Sequence, residues 1–463
     1  MQDKKNQDMN AEHMQTNNQK PQKLFDKKAL AVLIGPLIIE QFLAVTVGMA
    51  DTVMVSSVGE AAVSGISLVD TLNILLINVF SALATGGAVV SSYYLGKKDE
   101  KKACMSCNQL VLAVTGLSIF LAVISLLFNK AILSGIYGHI DADVMANART
   151  YFYLTALSYP FLGLYNGAAA ICRSMGNSKI SMQTSACMNF INIGGNALLI
   201  YGLGWGAAGA GTATLVSRIV AALIMLKIIT DQKKVLHIDR DIRKGIQWKL
   251  TKEILEIGVP TGLESGIFQA GKLMVAGLIA SFGTASIAAN AVGNTIASFE
   301  VIPGSAISLA MVTVVGQSIG AQRYKEAKGY VFRLMAIAHS AIAVLNLFIM
   351  VFCRQIVSFY SLSPEAAEMA WQVAMLHSVC CIAFWPPSFT MPNALRAAND
   401  ARFTMVISIA SMFLFRIVLS YVLGRYLGLG LLGVWAAMVC DWIVRSIFFF
   451  ARILTGQWLK HCR

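Results

Sequence analysis

Carboxylates and amides recur at helical spacing inside stretches that are otherwise apolar. Glu40 and Asp51 lie in the first such stretch, 11 residues apart. That is about three turns of an α-helix, so both sit on one face, separated by roughly 16 Å of rise. A charged side chain in a bilayer is costly and faces a polar cavity or a partner rather than lipid. Asn192 and Asn196, in MNFINIGGNALLIYGLG, are one turn apart and stack on one face. Two amides and a carboxylate could coordinate a cation or tune a proton site. Hydrogen bonding between helices is the other use of such asparagines. Lys272 follows Glu264 by eight residues, roughly 80° round a helix, and the two are placed to form an ion pair that lowers the cost of both. Asp70 and Glu300 are further acids in apolar stretches. Arg218, Arg416 and Asp441 complete the set, either near helix ends or in structural pairs. Asp51, Asn192 and Asn196 are thus the candidate cation-coupling residues, with Na+ one candidate ion at Asp51. Glu40, Asp70, Glu264, Lys272 and Glu300 are the candidates to line a substrate cavity.

The elements that must position these groups are membrane helices. The chain has 463 residues, of which 56% are hydrophobic and only 13% charged. Soluble domains carry about 25% charged residues, so a water-soluble globule is excluded. Apolar runs of about 20 residues, enough to span a bilayer, occur near 30–55, 62–95, 104–127, 150–172, 180–202, 207–229, 253–281, 286–319, 328–352, 367–394, 403–424 and 430–454. These predict an all-α polytopic membrane protein with twelve transmembrane helices. The net charge of +13 does not indicate nucleic acid. Lys and Arg concentrate in the tail before the first helix, in alternate loops and at the C-terminal end, while Lys130, Arg149, Arg354 and Arg425 are the few in the opposite loops. The positive-inside rule then places both termini in the cytoplasm, and the basic side adds some attraction to anionic lipid. The first 28 residues are polar and read as a cytoplasmic tail without a signal peptide.

The chain also repeats itself. Residues 36–103 realign without a gap on residues 260–327, at an offset of 224. Pro36 falls on Pro260, Glu40 on Glu264, Ser57 on Ser281, Gly59 on Gly283 and Gly96 on Gly320. Arg173 and Arg396 correspond at 223, and Gly209 and Gly433 at 224 again. Six helices per half is an even number, so the two repeats are parallel, related by an axis along the membrane normal. The organisation expected is a tail (1–28), an N-lobe (29–230), a charged cytoplasmic connector (231–252), a C-lobe (253–455) and a cytoplasmic C-terminus (456–463). Pro36 and Pro260 occupy equivalent places and are candidate hinges, because proline removes a helical hydrogen bond and bends the helix. Two like halves of membrane helices read as a secondary transporter, with its substrate site between the repeats.

Enzyme signatures are absent. There is no G-x-x-x-x-G-K-[ST] phosphate loop and no H-E-x-x-H, and only His339 and His377 fall within spans. No cofactor is expected, and an H+ or Na+ gradient would supply the energy. Cys104 and Cys107 form a lone C-x-x-C at a helix end, without the second pair of a zinc site, and are read as buried thiols.

GMADTVMVSSVG in helix 1, SSYYLGKKDEKKA after helix 2, RSMGNSK after helix 4, the NxxxN of helix 5, and the counterparts VVGQSIGAQRYKEAK and LRAANDAR together resemble the multidrug and toxic compound extrusion (MATE) family, bacterial type. The resemblance covers residues 28–455. It implies a V-shaped pair of six-helix lobes around a central cavity, in a multi-pass protein of the bacterial inner membrane that acts as a monomer. It implies antiport of organic cations or other toxic compounds against H+ or Na+. The family's N-lobe cation site falls on Asp51, Asn192 and Asn196, and an acidic residue of its helix 7 falls on Glu264. The chain departs in helix 10, where CCIAFWPPSFTMPNA lacks the acid that one branch carries. A flippase for lipid-linked saccharides, from the same broader superfamily, is the alternative. It needs several basic residues in its cavity, whereas Lys272, Arg218 and Arg416 are the ones available and acids outnumber them.

Overall fold

The computed structural model describes residues 23–138, 140–238 and 245–462. Most of the expected tail and residues 239–244 of the connector lie outside that range. The described residues are helical, without strands. Twelve long segments follow in order: α1 (Lys27–Ser56), α2 (Glu60–Gly96), α3 (Glu100–Leu127), α4 (Ala142–Ser174), α5 (Ser178–Asn196, continued by Ala197–Gly202), α6 (Gly206–Ile229), α7 (Trp248–Ala280), α8 (Thr284–Glu300 and Ile302–Gly320), α9 (Tyr324–Ser358), α10 (Pro364–Ala397), α11 (Ala401–Tyr426) and α12 (Gly430–Leu454). A short helix, Asn129–Tyr137, joins α3 to α4.

Local sequence explains the starts. Asp26 accepts a hydrogen bond from the Ala29 amide at 2.7 Å and caps α1, and Asp99 caps α3 through Lys102 at 3.1 Å. Ser363 caps α10, whose first residue is Pro364; proline there sacrifices only a donor that has no helical partner. Ten of the segments are long and apolar enough to cross a membrane by composition. The two that fall short are α4 and α5. They carry Tyr151 and the asparagines Asn189, Asn192 and Asn196 that line the cavity described below, so their low hydropathy reflects a polar inner face rather than a missing span.

The repeat is written into the backbone. Left-handed or extended positive-φ residues occur in equivalent pairs: Gly59 and Gly283, Lys98 and Gln322, Gly176 and Asn399, Gly204 and Gly428. The π-helical stretch Ala197–Gly202 at the end of α5 matches Tyr421–Tyr426 at the end of α11. π-Turns leave backbone groups irregular and often mark functional positions. Pro36 and Pro260 lie inside α1 and α7, which continue through them. The outright break falls in α8 at Val301, just before Pro303.

The halves join through α1, α2, α7 and α8 and form a V around a central cleft. In α1, Leu30, Leu33 and Leu37 pack with Ala306, Ala310 and Val314 of α8, so the first helix contributes to the core of the second half. The tightest approach is at one end of α2 and α8. A Cβ on Gly96 would lie 2.0 Å from the Gln317 carbonyl oxygen, and one on Gly320 would lie 1.9 Å from that of Tyr93. Tyr93 and Gln317 are themselves repeat equivalents, so the two contacts are a pair related by an internal two-fold axis. Small residues let membrane helices approach backbone to backbone.

Candidate cation site

A cavity of about 250 Å3 opens within the first half, lined from α1, α2, α4, α5 and α6. Asp51 of α1 is among the residues that line it. Asn196 donates its side-chain amide to Asp51 Oδ1 at 2.8 Å. Asn192 is oriented with its nitrogen toward Asp51, because the amide oxygen would otherwise face a carboxylate. So placed, it donates to both carboxylate oxygens at 2.9 and 3.0 Å and accepts from Thr214 Oγ1 at 3.3 Å. The helical spacing of Asn192 and Asn196 thus brings both amides onto one carboxylate. Asn196 Oδ1 is buried and has no hydrogen-bond partner.

Asp70 of α2 lines the same cavity. It accepts from the Tyr151 hydroxyl at 3.0 Å and the Asn73 amide at 3.2 Å. Arg218 of α6 also lines the cavity and donates to Ser158 at 2.7 Å. Two carboxylates face one guanidinium, so the ionised cavity carries one net negative charge in a low-dielectric setting. Charge of that kind is tolerated when a mobile cation can neutralise it. Tyr151 and Asn73 were not singled out from the sequence. Tyr151 carries no mark in the sequence, since its partner lies on another helix, whereas Asn73 stands three residues after Asp70 on α2 and its helical spacing was the available signal.

The other candidates go elsewhere. Glu40 is buried, with Arg173 at 3.6 Å and the Ser181 hydroxyl donating at 2.8 Å. Glu264 is buried and held by Arg396 at 2.8 Å and Arg445 at 3.5 Å. The Glu40–Arg173 and Glu264–Arg396 pairs are repeat equivalents, joining the first helix of each half to its fourth. The ion pair expected between Glu264 and Lys272 does not form. The two arginines reach the carboxylate from α10 and α12, while Lys272 lies one turn of α7 beyond Phe268, whose ring Arg416 of α11 covers at 4.9 Å. Arg416 lies 3.7 Å from Asp441. Glu300 is fully buried and accepts from His377 and Ser378. Among the described residues, Glu300, His377 and Cys381 hold their ligand atoms within 4.8 Å of one another, the one grouping with metal-ligand chemistry. Cys107 is a buried thiol as expected, but Cys104 is only half-buried and donates to the Val235 carbonyl at 3.4 Å, because the connector packs over that end of α3.

The MatE family model matches this chain twice, over residues 36–198 and 260–422. The chain belongs to the MATE family. Its two matched segments start at the paired prolines Pro36 and Pro260, so the duplication read from the residues is the family repeat. The chain is 27% identical over 449 residues to the uncharacterized transporter YisQ of Bacillus subtilis, covering 93% of this chain and 95% of that one. It is 26% identical to the probable multidrug resistance protein NorM of Thermotoga maritima, over 94% and 93% of the two chains. A crystal structure of a MATE protein in complex with MaL6 superposes with a TM-score of 0.88 at 19% identity, over 94% of this chain and 97% of that one. This MATE chain is therefore a multi-pass membrane protein of a multidrug-efflux transporter family, and that family is one of transporters rather than enzymes.

Proposed function

We propose that this protein is a secondary antiporter that exports organic cations or other toxic compounds in exchange for H+ or Na+. The observation that carries this reading is the convergence of Asn192 and Asn196 on Asp51 in a cavity of net negative charge. A proton neutralises Asp51 directly. A sodium ion takes oxygens from Asp51 and from the two amides after they rotate, Asn196 Oδ1 being already without a partner. Either event cancels the charge of the cavity and releases the amide clamp that ties α5 to α1. That release is the local change from which the halves exchange access, with Pro36 and Pro260 as the points where α1 and α7 bend. Glu40 and Glu264, neutralised by arginines, hold helices together in this scheme, and Asp70 tunes the cavity charge.

The basic loops favour an orientation with both termini in the cytoplasm of a bacterial cell, the narrow junction at Gly96 and Gly320 on the inner side and the cleft open outward. One chain contains both halves of the path and so works as a monomer. A lipid-linked pyrophosphate is a poor ligand for the N-half cavity, whose net charge repels it.

The test is efflux of a fluorescent organic cation from proteoliposomes, with a pH gradient and a sodium gradient imposed separately. One gradient is expected to drive efflux, and Asp51→Asn is expected to abolish it while the protein stays in the membrane. Normal coupled efflux by a well-expressed Asp51→Asn variant would sink the assignment.

A further inference from the structure

The duplication allows the two halves to be compared position by position, and the cation site is not duplicated. At the offset of 224, Asp51 corresponds to Val275, Asn192 to Arg416 and Asn196 to Ser420. The carboxylate has become apolar and one amide has become a guanidinium. The same architectural niche that carries a negative charge in the first half carries a positive one in the second.

The surrounding charges reinforce this. Glu264 offsets only one of its two partners, Arg396 and Arg445. Asp441 offsets Arg416, at 3.7 Å, a separation too long for a hydrogen bond. Lys272 forms no ion pair with an acid among the described residues; it stands one turn of α7 beyond Phe268, whose ring Arg416 covers at 4.9 Å. Glu300 is taken up by His377 and Ser378. Positive charge is thus left over inside the second half, the inverse of the first. Arg445 Nε and Arg396 Nε are buried with no hydrogen-bond partner, and so are Arg416 Nη1 and the Asp441 Oδ2 that faces it at 3.7 Å, so the cluster is not internally saturated. The two central guanidiniums lie over linked aromatic rings. Arg416 stands 4.9 Å from the Phe268 ring centre and Arg445 4.5 Å from that of Phe389, and the rings meet edge-on at 6.0 Å. Lys272 is the exposed member. An ammonium at this depth faces a watered cleft rather than lipid, which puts it at the mouth of the cluster.

We propose that the second half carries an anion subsite, in which Lys272 and Arg416 receive the carboxylate or phosphate of an aromatic substrate whose ring packs at Phe268. This deepens the transport reading, on which it rests for the claim that the cleft is the substrate path. It names the substrates as organic anions and zwitterions alongside cations: the anionic group goes to the second half and the coupling cation to the first. The two sites have opposite charge and so do not compete for one ligand, as an exchange of ion for substrate between two cationic ligands would require.

The test is equilibrium binding to the purified full chain in neutral detergent, with no gradient present. The probes are anthracene-9-carboxylate and its uncharged amide, matched in shape. The carboxylate is expected to bind at least about tenfold more tightly, the usual return of a charge-assisted hydrogen bond. Lys272→Gln is expected to erase most of that preference, and Lys272→Glu to transfer it to a matched aromatic amine. Because Arg416→Gln would strand Asp441 and risks misfolding, the exposed Lys272 carries the test. Equal binding of carboxylate and amide, or an unchanged preference in both Lys272 variants, would overturn the subsite. Displacement of the probe by phosphatidylglycerol, with no efflux of the carboxylate from vesicles, would overturn its assignment to substrate by giving it to a lipid headgroup. The same titration in Asp51→Asn separates the two readings. Retained anion binding without gradient-driven transport would refute only the coupling scheme.

Discussion

Alanine at Gly320 is the sharpest probe of how the halves meet. The new Cβ would lie 1.9 Å from the Tyr93 carbonyl oxygen and 2.8 Å from its carbon, both backbone atoms that cannot swing aside. Carbon and oxygen settle at about 3.3 Å, so α2 and α8 must part by roughly 1.4 Å at this point. Overpacking of that kind costs about 1–3 kcal/mol, or a shift of about 5- to 150-fold in an equilibrium at 1.4 kcal/mol per decade. The cost falls on the closed junction and spares any state in which the two helix ends have separated. Gly320→Ala is therefore expected to raise the population of the separated state by at least about fivefold. Gly96→Ala, its equivalent, should do the same, since its Cβ would lie 2.0 Å from the Gln317 oxygen. The assay is the distance distribution between spin labels at Lys98 and Gln322 in a cysteine-free background. Gly329→Ala is the control, because nothing lies within 4 Å of its Cβ. If both alanine variants fold and keep the parental distribution, the junction is not a gate and the reasoning fails.

Glu264→Gln leaves Arg396 and Arg445 buried without their shared carboxylate. It should cost about 3–5 kcal/mol, read as a lowered melting temperature in detergent; an unchanged one would mean that water already screens the cluster. Tyr151→Phe removes the 3.0 Å hydrogen bond to Asp70 without changing charge. A hydrogen bond to a charged group is worth about 1.5–3 kcal/mol. The apparent affinity for the coupling ion should therefore shift by about tenfold or more in proteoliposome transport, with expression unaltered, and a shift below twofold would take Asp70 out of the ion site.

Periodicity is local, and what is local was legible. The placement of Asn192 and Asn196 on one face follows from 3.6 residues per turn, and a face with two amides in an apolar helix needs a polar partner. Asp51 was the carboxylate available for them. The duplication, the membrane spans and the family followed from residue order in the same way, and so did the polar character that keeps α4 and α5 below the hydropathy of their neighbours.

Which neighbour each charge meets is a different matter. Glu264 sits eight residues from Lys272 in the sequence, yet its carboxylate is claimed by Arg396 and Arg445, 132 and 181 residues away. Glu40 finds Arg173, Asp70 finds Tyr151, and Glu300 finds His377, each on a different helix. A helix sets the direction in which a side chain points and says nothing of the helix that will stand opposite. In a bilayer the cost of an unpaired charge makes that choice decisive, and it is settled by the packing of twelve helices at once. The residues alone therefore determined the duplicated membrane fold and the shared face that brings Asn192 and Asn196 onto Asp51. Only the tertiary structure decided which of the remaining ionisable groups are neutralised, and that the second half is left with its positive charge unspent.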